Sequence, residues 1–480
     1  MTHIWATSPE PGSDLHLDLD LTKGATGGVR AALIHALRDA VRSGRLAPGV
    51  RLPSSRTLAA DLGLARNTVA DAYGELVAEG WLSARQGSGT RVAQRTLPGR
   101  TTTARPAVQR PEATHNLQAG SPDLSSFPRA AWAAAGRRAL GNAPAEAFGY
   151  GDPRGRVELR QALADYLARA RGVRTDPERI VICEGFAQGA ALLGRVLHRL
   201  ESHRSGPPRQ LAVESYGLGF HRELLTAAGL RTLPLTVDRL GAATPELASM
   251  PDVGAVLLTP AHQFPTGVPL DPERRTAVVE WARGADGLVL EDDYDGEFRY
   301  DRQPVGALQG LDPERVAYLG TASKSLAPAL RLGWMVLPGR LVDEVLAAKT
   351  QAERHPASLD QLVLAELITS GAYDRHIRAM RLRYRRRRDR LVAALAERAP
   401  AVEVSGIAAG LHAVLRLPPG TEAAALHGAA WLGLAVQGLD DFRHPAVPPG
   451  DAALVVGYGT PPEHGFSAAL DALCQALETI

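Results

Sequence analysis

Apolar residues first recur with a helical period at Val29, Leu33, Leu37 and Val41. The spacing predicts a helix over residues 28–44, stopped by Gly44, Pro48 and Gly49. A second helix follows in LPSSRTLAADLG, where Ser54 or Ser55 can cap the start, Leu58 and Leu62 form the inner face and Gly63 ends it. A third, ARNTVADAYGELVAEG, turns Val69, Tyr73 and Leu76 inward. WLSARQGSGTRV then reads as two short strands joined across Gly87-Ser88-Gly89. Over residues 94–113 the apolar period vanishes and three prolines appear, which predicts a linker. Beyond about residue 115, the apolar runs RIVICEG, QLAVESY, AVLLTP, LVLEDDY and RVAYLGT alternate with helix-length segments. That alternation predicts an α/β domain with a mostly parallel sheet. An α+β portion follows from about residue 340, with AAGLHAVLRL and AALVVGYG as strands. The arginine-rich segment 377–391 keeps Ile377, Met380, Tyr384 and Leu391 at helical spacing, so it reads as an amphipathic helix with a solvated basic face.

The chain therefore divides into a small module at 14–93, a basic linker at 94–114 and a large domain at 115–480. The small module has three helices and a hairpin, two of its helices joined by a tight Gly-containing turn, which describes a winged helix-turn-helix of α+β class. Charge sharpens this picture. The 480 residues carry a net charge of only +2, yet residues 14–110 hold 14 Lys and Arg against 8 Asp and Glu. From Gly80 to Pro111 there is no acid at all, while Arg85, Arg91, Arg95, Arg100, Arg105 and Arg110 recur. A basic end on a near-neutral body points to a polyanion partner. Arg66, Asn67 and Thr68 crowd the start of the third helix, where side chains reach base edges or phosphates. Arg56 opens the preceding helix, and Arg85 and Arg91 flank the wing. The alternative is a helical module that binds protein. Two cysteines, Cys183 and Cys474, form no disulfide framework. No apolar run approaches a membrane span and no signal peptide is evident, so a cytoplasmic protein is expected.

In the large domain the chemistry falls at strand ends, where open α/β sheets bind ligands. Gly185, Phe186 and Ala187 follow RIVICE and open a helix whose N–H groups suit a phosphate. Tyr216 follows LAVES and could stack on a planar ring. Asp292 and Tyr294 end LVLED; taken alone, DDYDGE reads as a surface acidic cluster. Lys324 sits between Thr321, Ser323 and Arg331 in GTASKSLAPALRLGW, just after RVAYLGT. A lysine amine there can form a Schiff base with an aldehyde, and Arg331 is a bidentate phosphate donor.

Residues 44–92 resemble the GntR-type winged-helix domain. The resemblance implies that Arg56, Arg66, Thr68 and Gly89 contact a double-stranded DNA operator. Ala65 departs from it, because the family usually has a capping serine there. Residues 115–480 resemble the fold-type I, class I aminotransferase domain, on Gly185-Phe186-Ala187, EDDYDGEF, HQFPTG and TASKSLAPALRLGW. That likeness implies pyridoxal 5′-phosphate (PLP) held on Lys324, with Asp292 at the pyridinium nitrogen and Tyr294 at the ring hydroxyl. It implies Tyr216 on the ring face, and Gly185, Phe186, Ala187, Thr321, Ser323 and Arg331 around the phosphate. Two positions depart. Phe264 stands where the enzymes have an asparagine on the ring hydroxyl, unless His262 or Gln263 substitutes. The late arginine for a substrate carboxylate is missing from DAALVVGYG, leaving Arg443 as the nearest candidate. The two halves together resemble the MocR/GabR subfamily of transcription regulators. That implies a homodimer whose PLP domain senses an amine or PLP itself and alters DNA binding. Leu218 stands where the GABA-responsive type has an arginine, which favours PLP and control of vitamin B6 synthesis. The rival expectation is an active aminotransferase with an appended DNA-binding domain.

Overall fold

The computed structural model describes residues 28–85, 89–93, 113–203, 208–300, 305–352 and 355–478. Contacts divide the chain into two compact units, Met1–Arg110 and Pro111–Ile480. The tip of the expected wing and nearly all of the expected linker lie outside the described residues.

In the first unit, α1 (Gly28–Arg42), α2 (Ser55–Leu62) and α3 (Arg66–Ala78) enclose a core of Leu33, Leu37, Leu58, Leu62, Val69 and Leu76. α1 and α3 are also joined by Arg30–Glu75 at 2.9 Å and Arg38–Glu79 at 2.7 Å. Ser54 caps α2 by accepting the Thr57 N–H at 3.1 Å. Gly63 closes α2 in the left-handed region at φ 64°, which a residue with a Cβ rarely enters. After that tight turn α3 starts at Ala65, which offers its free N–H groups no side-chain cap. β1 (Leu82–Arg85) pairs antiparallel with β2 (Gly89–Val92). The backbone of 49–52 bonds the other edge of β2, with Leu52 N–H on Thr90 O and Val92 N–H on Val50 O, each at 2.9 Å. This is the expected winged helix-turn-helix.

In the second unit a seven-stranded sheet runs in the order β3 (Ile180–Cys183), β9 (Gly333–Val336), β8 (Val316–Thr321), β7 (Leu288–Asp293), β6 (Val253–Leu258), β4 (Gln210–Glu214), β5 (Thr232–Leu235). All neighbours are parallel except β9, which is antiparallel to both of its own. The strands are buried along nearly their full length, as parallel strands covered on both faces must be. The covering helices include α4 (Arg129–Asn142), α5 (Val157–Arg171), α6 (Phe186–Ser202), α7 (Gly219–Ala227), α8 (Pro272–Gly284), α9 (Gly339–Ala352) and α10 (Leu359–Thr369). α11 (Ala372–Arg398) then leads to a four-stranded antiparallel sheet, β10 (Glu403–Ser405), β11 (Ala413–Arg416), β13 (Ala453–Val456) and β12 (Gln437–Gly438), with α12 (Glu422–Trp431) and α13 (Glu463–Leu477). The unit's first residues join this late portion: His115–Asn116 pairs with Leu434–Ala435, and Gly457 N–H donates to Leu117 O at 2.6 Å.

The arginine-rich helix corrects one expectation. Ile377, Met380, Tyr384 and Leu391 do face inward, but its basic face is not all solvated. Arg387 is 1% exposed and bonds Asp123 at 2.9 Å, Glu463 at 2.8 Å and the Pro461 carbonyl at 2.8 Å. It ties the unit's first segment to α11 and α13. Among the described residues, no helix is long and apolar enough to cross a membrane.

Candidate functional site

The two units carry two candidate sites. In the first, Arg56, Arg66, Asn67, Arg85 and Gly89 are exposed and Thr68 is partly so. Arg56 lies in the first turn of α2, and Arg66, Asn67 and Thr68 form the first turn of α3. Arg85 and Gly89 are paired residues at the wing's end. Arg56, Arg66 and Arg85 make no ion pair with any described residue, whereas Arg30 and Arg38 on the helical core do. These three guanidinium groups are solvated and available to phosphate. Gly89 has φ 77°, and a Cβ there would lie 3.0 Å from the Arg51 side chain, so glycine fits the wing twice over.

In the second unit, one cavity of about 200 Å³ opens at the carboxyl ends of β3, β4, β6, β7 and β8. All ten residues assigned to PLP from separate motifs line it: Gly185, Phe186, Ala187, Tyr216, Asp292, Tyr294, Thr321, Ser323, Lys324 and Arg331. Gly185 precedes α6 at φ 93°, and its backbone abuts Gly333, where a Cβ would come within 2.6 Å of it. The start of α6, through Gly185, Phe186 and Ala187, lines the cavity together with Thr321 and Ser323. Thr321 Oγ1 donates to Ser323 Oγ at 2.8 Å and accepts the Ser323 N–H at 3.1 Å, which fixes the turn that carries Lys324. Arg331 also has positive φ, 52°, and its half-exposed guanidinium lies 3.8 Å from the Glu184 carboxylate.

The acidic run DDYDGE is buried, so the surface reading of it is wrong. Strand alternation sorts its members. Asp292 faces the cavity, while Asp293 points to the other side and meets Arg171 at 2.6 and 3.0 Å and the Tyr318 hydroxyl at 2.8 Å. Burial pushes the Asp292 carboxyl well above the usual range, against the pull of Lys324. Burial likewise lowers the Lys324 ammonium, against Asp292 and Asp295. Its Nζ donates to the Gly120 carbonyl. Burial raises the Tyr294 phenol, which stays protonated.

Tyr216 lines the cavity, but its hydroxyl runs toward Gly450, and its ring packs beside the cluster of Phe264, Leu439 and Phe442. Phe186 and His221 supply a second aromatic wall, with ring centroids 4.3 Å apart. Burial holds His221 at about 3, so it is neutral. Arg443 does not line the cavity; its guanidinium pairs with Asp440 and donates to the Val447 carbonyl. Besides Arg331, the arginine that lines it is Arg222, which donates to the carbonyls of Gly217 at 2.8 Å and Arg443 at 3.1 Å. Sequence reasoning missed His221, Arg222, Gly120, Glu214 and His412. None stands in a motif; His221 and Arg222, in the first turn of a helix after a strand, had the only usable signal.

The donor set fits PLP. It offers a cradle of N–H and hydroxyl donors with an arginine for a phosphate, an amine of lowered pKa, and a buried acid. It also offers a phenol and flat aromatic walls.

Comparison with known proteins agrees with both units. Residues 30–92 match the family "Bacterial regulatory proteins, gntR family", and residues 114–427 match "Aminotransferase class I and II". The chain is 33% identical to the HTH-type pyridoxine biosynthesis transcriptional regulator PdxR of Corynebacterium glutamicum, over 80% of this chain and 82% of that protein. It is also 33% identical to the probable rhizopine catabolism regulatory protein MocR of Rhizobium meliloti, over 78% of each. Among solved structures, an archaeal alanine:glyoxylate aminotransferase aligns with a TM-score of 0.68 at 25% identity, over 76% of this chain and 91% of that one. The kynurenine aminotransferase of Pyrococcus horikoshii aligns equally well, over 77% and 91%. With a gntR-type domain and an aminotransferase class I domain in one chain, and with such relatives, this chain belongs to the MocR/PdxR-type HTH transcriptional regulators.

Proposed function

We propose that the chain is a PLP-responsive DNA-binding regulator, acting in the cytoplasm as a homodimer. Its first unit would engage an operator through Arg56, Arg66, Asn67, Thr68, Arg85 and Gly89. Its second would sense PLP, alone or with a small amine. The observation that carries this reading is the convergence of ten residues from scattered motifs on one cavity, in a chain that also presents exposed arginines, in no ion pair with any described residue, at the starts of two helices and in a wing.

When bound, PLP supplies an aldehyde that an amine can capture and a ring that withdraws electrons. The protein's part is to hold and orient it. Gly185, Phe186, Ala187, Thr321, Ser323 and Arg331 would hold the phosphate, and Asp292 would keep a proton on the pyridine nitrogen. Tyr294 would donate to the ring oxygen. Tyr216 and the Phe186–His221 pair would flank the ring. Lys324 brings a nitrogen that burial biases toward its neutral, nucleophilic form. Phe264 in place of an asparagine, and Arg443 engaged with Asp440, leave transamination poorly equipped. The effector therefore acts by its differential affinity for two states of the regulator, not by turnover. The relationship to a regulator of pyridoxine biosynthesis favours PLP as signal and vitamin B6 synthesis as the controlled pathway.

The test is an operator-binding titration with and without PLP and a panel of amines. A shift in operator affinity that Lys324→Ala abolishes supports the reading. Unchanged DNA binding at saturating PLP, or sustained keto-acid formation from an amino donor, overturns it in favour of no response or of an enzyme.

A further inference from the structure

The loop after β6 explains how this cavity manages without an amide at position 264. Phe264 presents a ring there, edge-on to Tyr294 at 5.8 Å, to His412 at 5.1 Å and to Phe442 at 5.3 Å. Gln263 does not substitute. Its Nε2 donates to Glu214, to Tyr216 O and to Phe264 O, its Oε1 accepts from Thr266, and it does not line the cavity. His262 lies behind Tyr294. It is 3% exposed, and its Nδ1 is 2.8 Å from Asp295 Oδ2 and 3.1 Å from the Tyr294 hydroxyl. His412 closes the group from β11's side, its ring 5.0 Å from His262 and its Nε2 on the Pro265 carbonyl.

The hydrogen-bond count assigns the protons. A carboxylate accepts and cannot donate, so the contact with Asp295 places the His262 proton on Nδ1. The Tyr294 oxygen lies within reach of that same N–H and accepts from it. The phenol's own hydrogen then has no place on the histidine; it goes to the Asp295 carboxylate, which also raises the phenol, or to an acceptor in the cavity that outcompetes it. The high pKa that burial gives Tyr294 keeps that hydrogen in place.

We propose that Asp295 and His262 form a positioning pair that fixes Tyr294 as a donor toward the ring oxygen of the bound cofactor, replacing the orientation an amide at position 264 would impose. The pair touches no ligand. The proposal rests on the reading that this cavity holds PLP, and its test separates the two.

The full-length protein is titrated with PLP in four forms: wild type, Asp295→Asn, Tyr294→Phe and the double variant. Asp295→Asn weakens PLP binding about tenfold in the wild-type background and less than about twofold beside Tyr294→Phe. Equal losses in both backgrounds overturn the pair, because a merely structural role for Asp295 persists without the phenol. The visible band of bound PLP gives a second readout. Losing a donor disfavours the charged ring oxygen, so the pH midpoint of the band rises in Asp295→Asn and His262→Gln, with no further rise beside Tyr294→Phe. The other titratable groups facing the site, Lys324, Asp292, Glu214, His221 and His412, are the same in all forms. Should wild type bind no PLP, the proposed function falls. The pair is then decided without cofactor, by the ¹⁵N signals of His262, assigned by their loss in His262→Gln. A proton on Nδ1 that Asp295→Asn redistributes supports it, and a proton on Nε2 overturns it.

Discussion

Lys324 and Glu214 show how burial sets chemistry one residue at a time. Lys324 is lowered by burial from its ordinary 10.5, so its neutral fraction rises below that pH. The rate of PLP capture should therefore climb with pH and reach its plateau before pH 10.5, measured by stopped-flow absorbance. Lys324→Ala should lose the visible band while keeping its far-UV circular dichroism. Glu214 accepts bonds from Thr259 and Gln263, yet burial pushes it up to about 7, as it does Glu291 and Glu297. A carboxyl raised in the fold contributes stability below its unfolded value of 4.5 and loses it as pH rises through about 7. Glu214→Gln should thus remove about a third of the fall in the second unit's melting temperature between pH 4.5 and 7 that these three groups cause. An unchanged slope would show that Glu214 is ionised in a better-solvated site. Lys324, Asp292 and Tyr294 were readable because each ends an apolar strand run. Glu214 and Gly120 were not, because what brings them to the cavity is pairing and arm placement across long stretches of chain.

Helices and strands were easier to read than the contacts between them. Period and caps placed α1, α2 and α3, and the apolar runs placed five of the seven large-sheet strands. The antiparallel course of β9 was invisible, since nothing in LGWMVL encodes direction. Ala65 gives an element-scale prediction: Ala65→Ser should add about 1 kcal/mol to the first unit by capping α3. Calorimetry checks this, and operator affinity should rise with it. Arg66→Ala should weaken DNA binding and reduce the salt slope by about 1; an unaltered slope would favour a protein partner. In α11 the period runs through position 387, three residues after Tyr384 and four before Leu391, but the arginine that stands there read as part of the solvated basic face. Removing that buried guanidinium, as in Arg387→Ala, should cost about 3–5 kcal/mol and lower the second unit's melting temperature, because Asp123 is left buried beside a lost cation.

At the scale of the whole molecule, two units with separate cores predict two thermal transitions. PLP at about a hundred times its Kd should raise only the second unit's stability, by about 2.7 kcal/mol. Movement of both transitions together would reveal coupling between the units. Domain order and the residues that line the cavity were readable because motifs are local. The assignment of Arg443 to a ligand was not a matter of motif, and its side chain turned to the acid three residues earlier. The ladder between His115–Asn116 and Leu434–Ala435 bears on how the protein is made. A ribosome delivers the first unit's partners within residues 28–93, so that unit can fold early in synthesis. The second cannot seat its opening segment until residues beyond 430 emerge. On the proposed function, a nascent chain would be able to grip DNA well before it could respond to a metabolite, and translation speed through the last third would set how long that blind interval lasts.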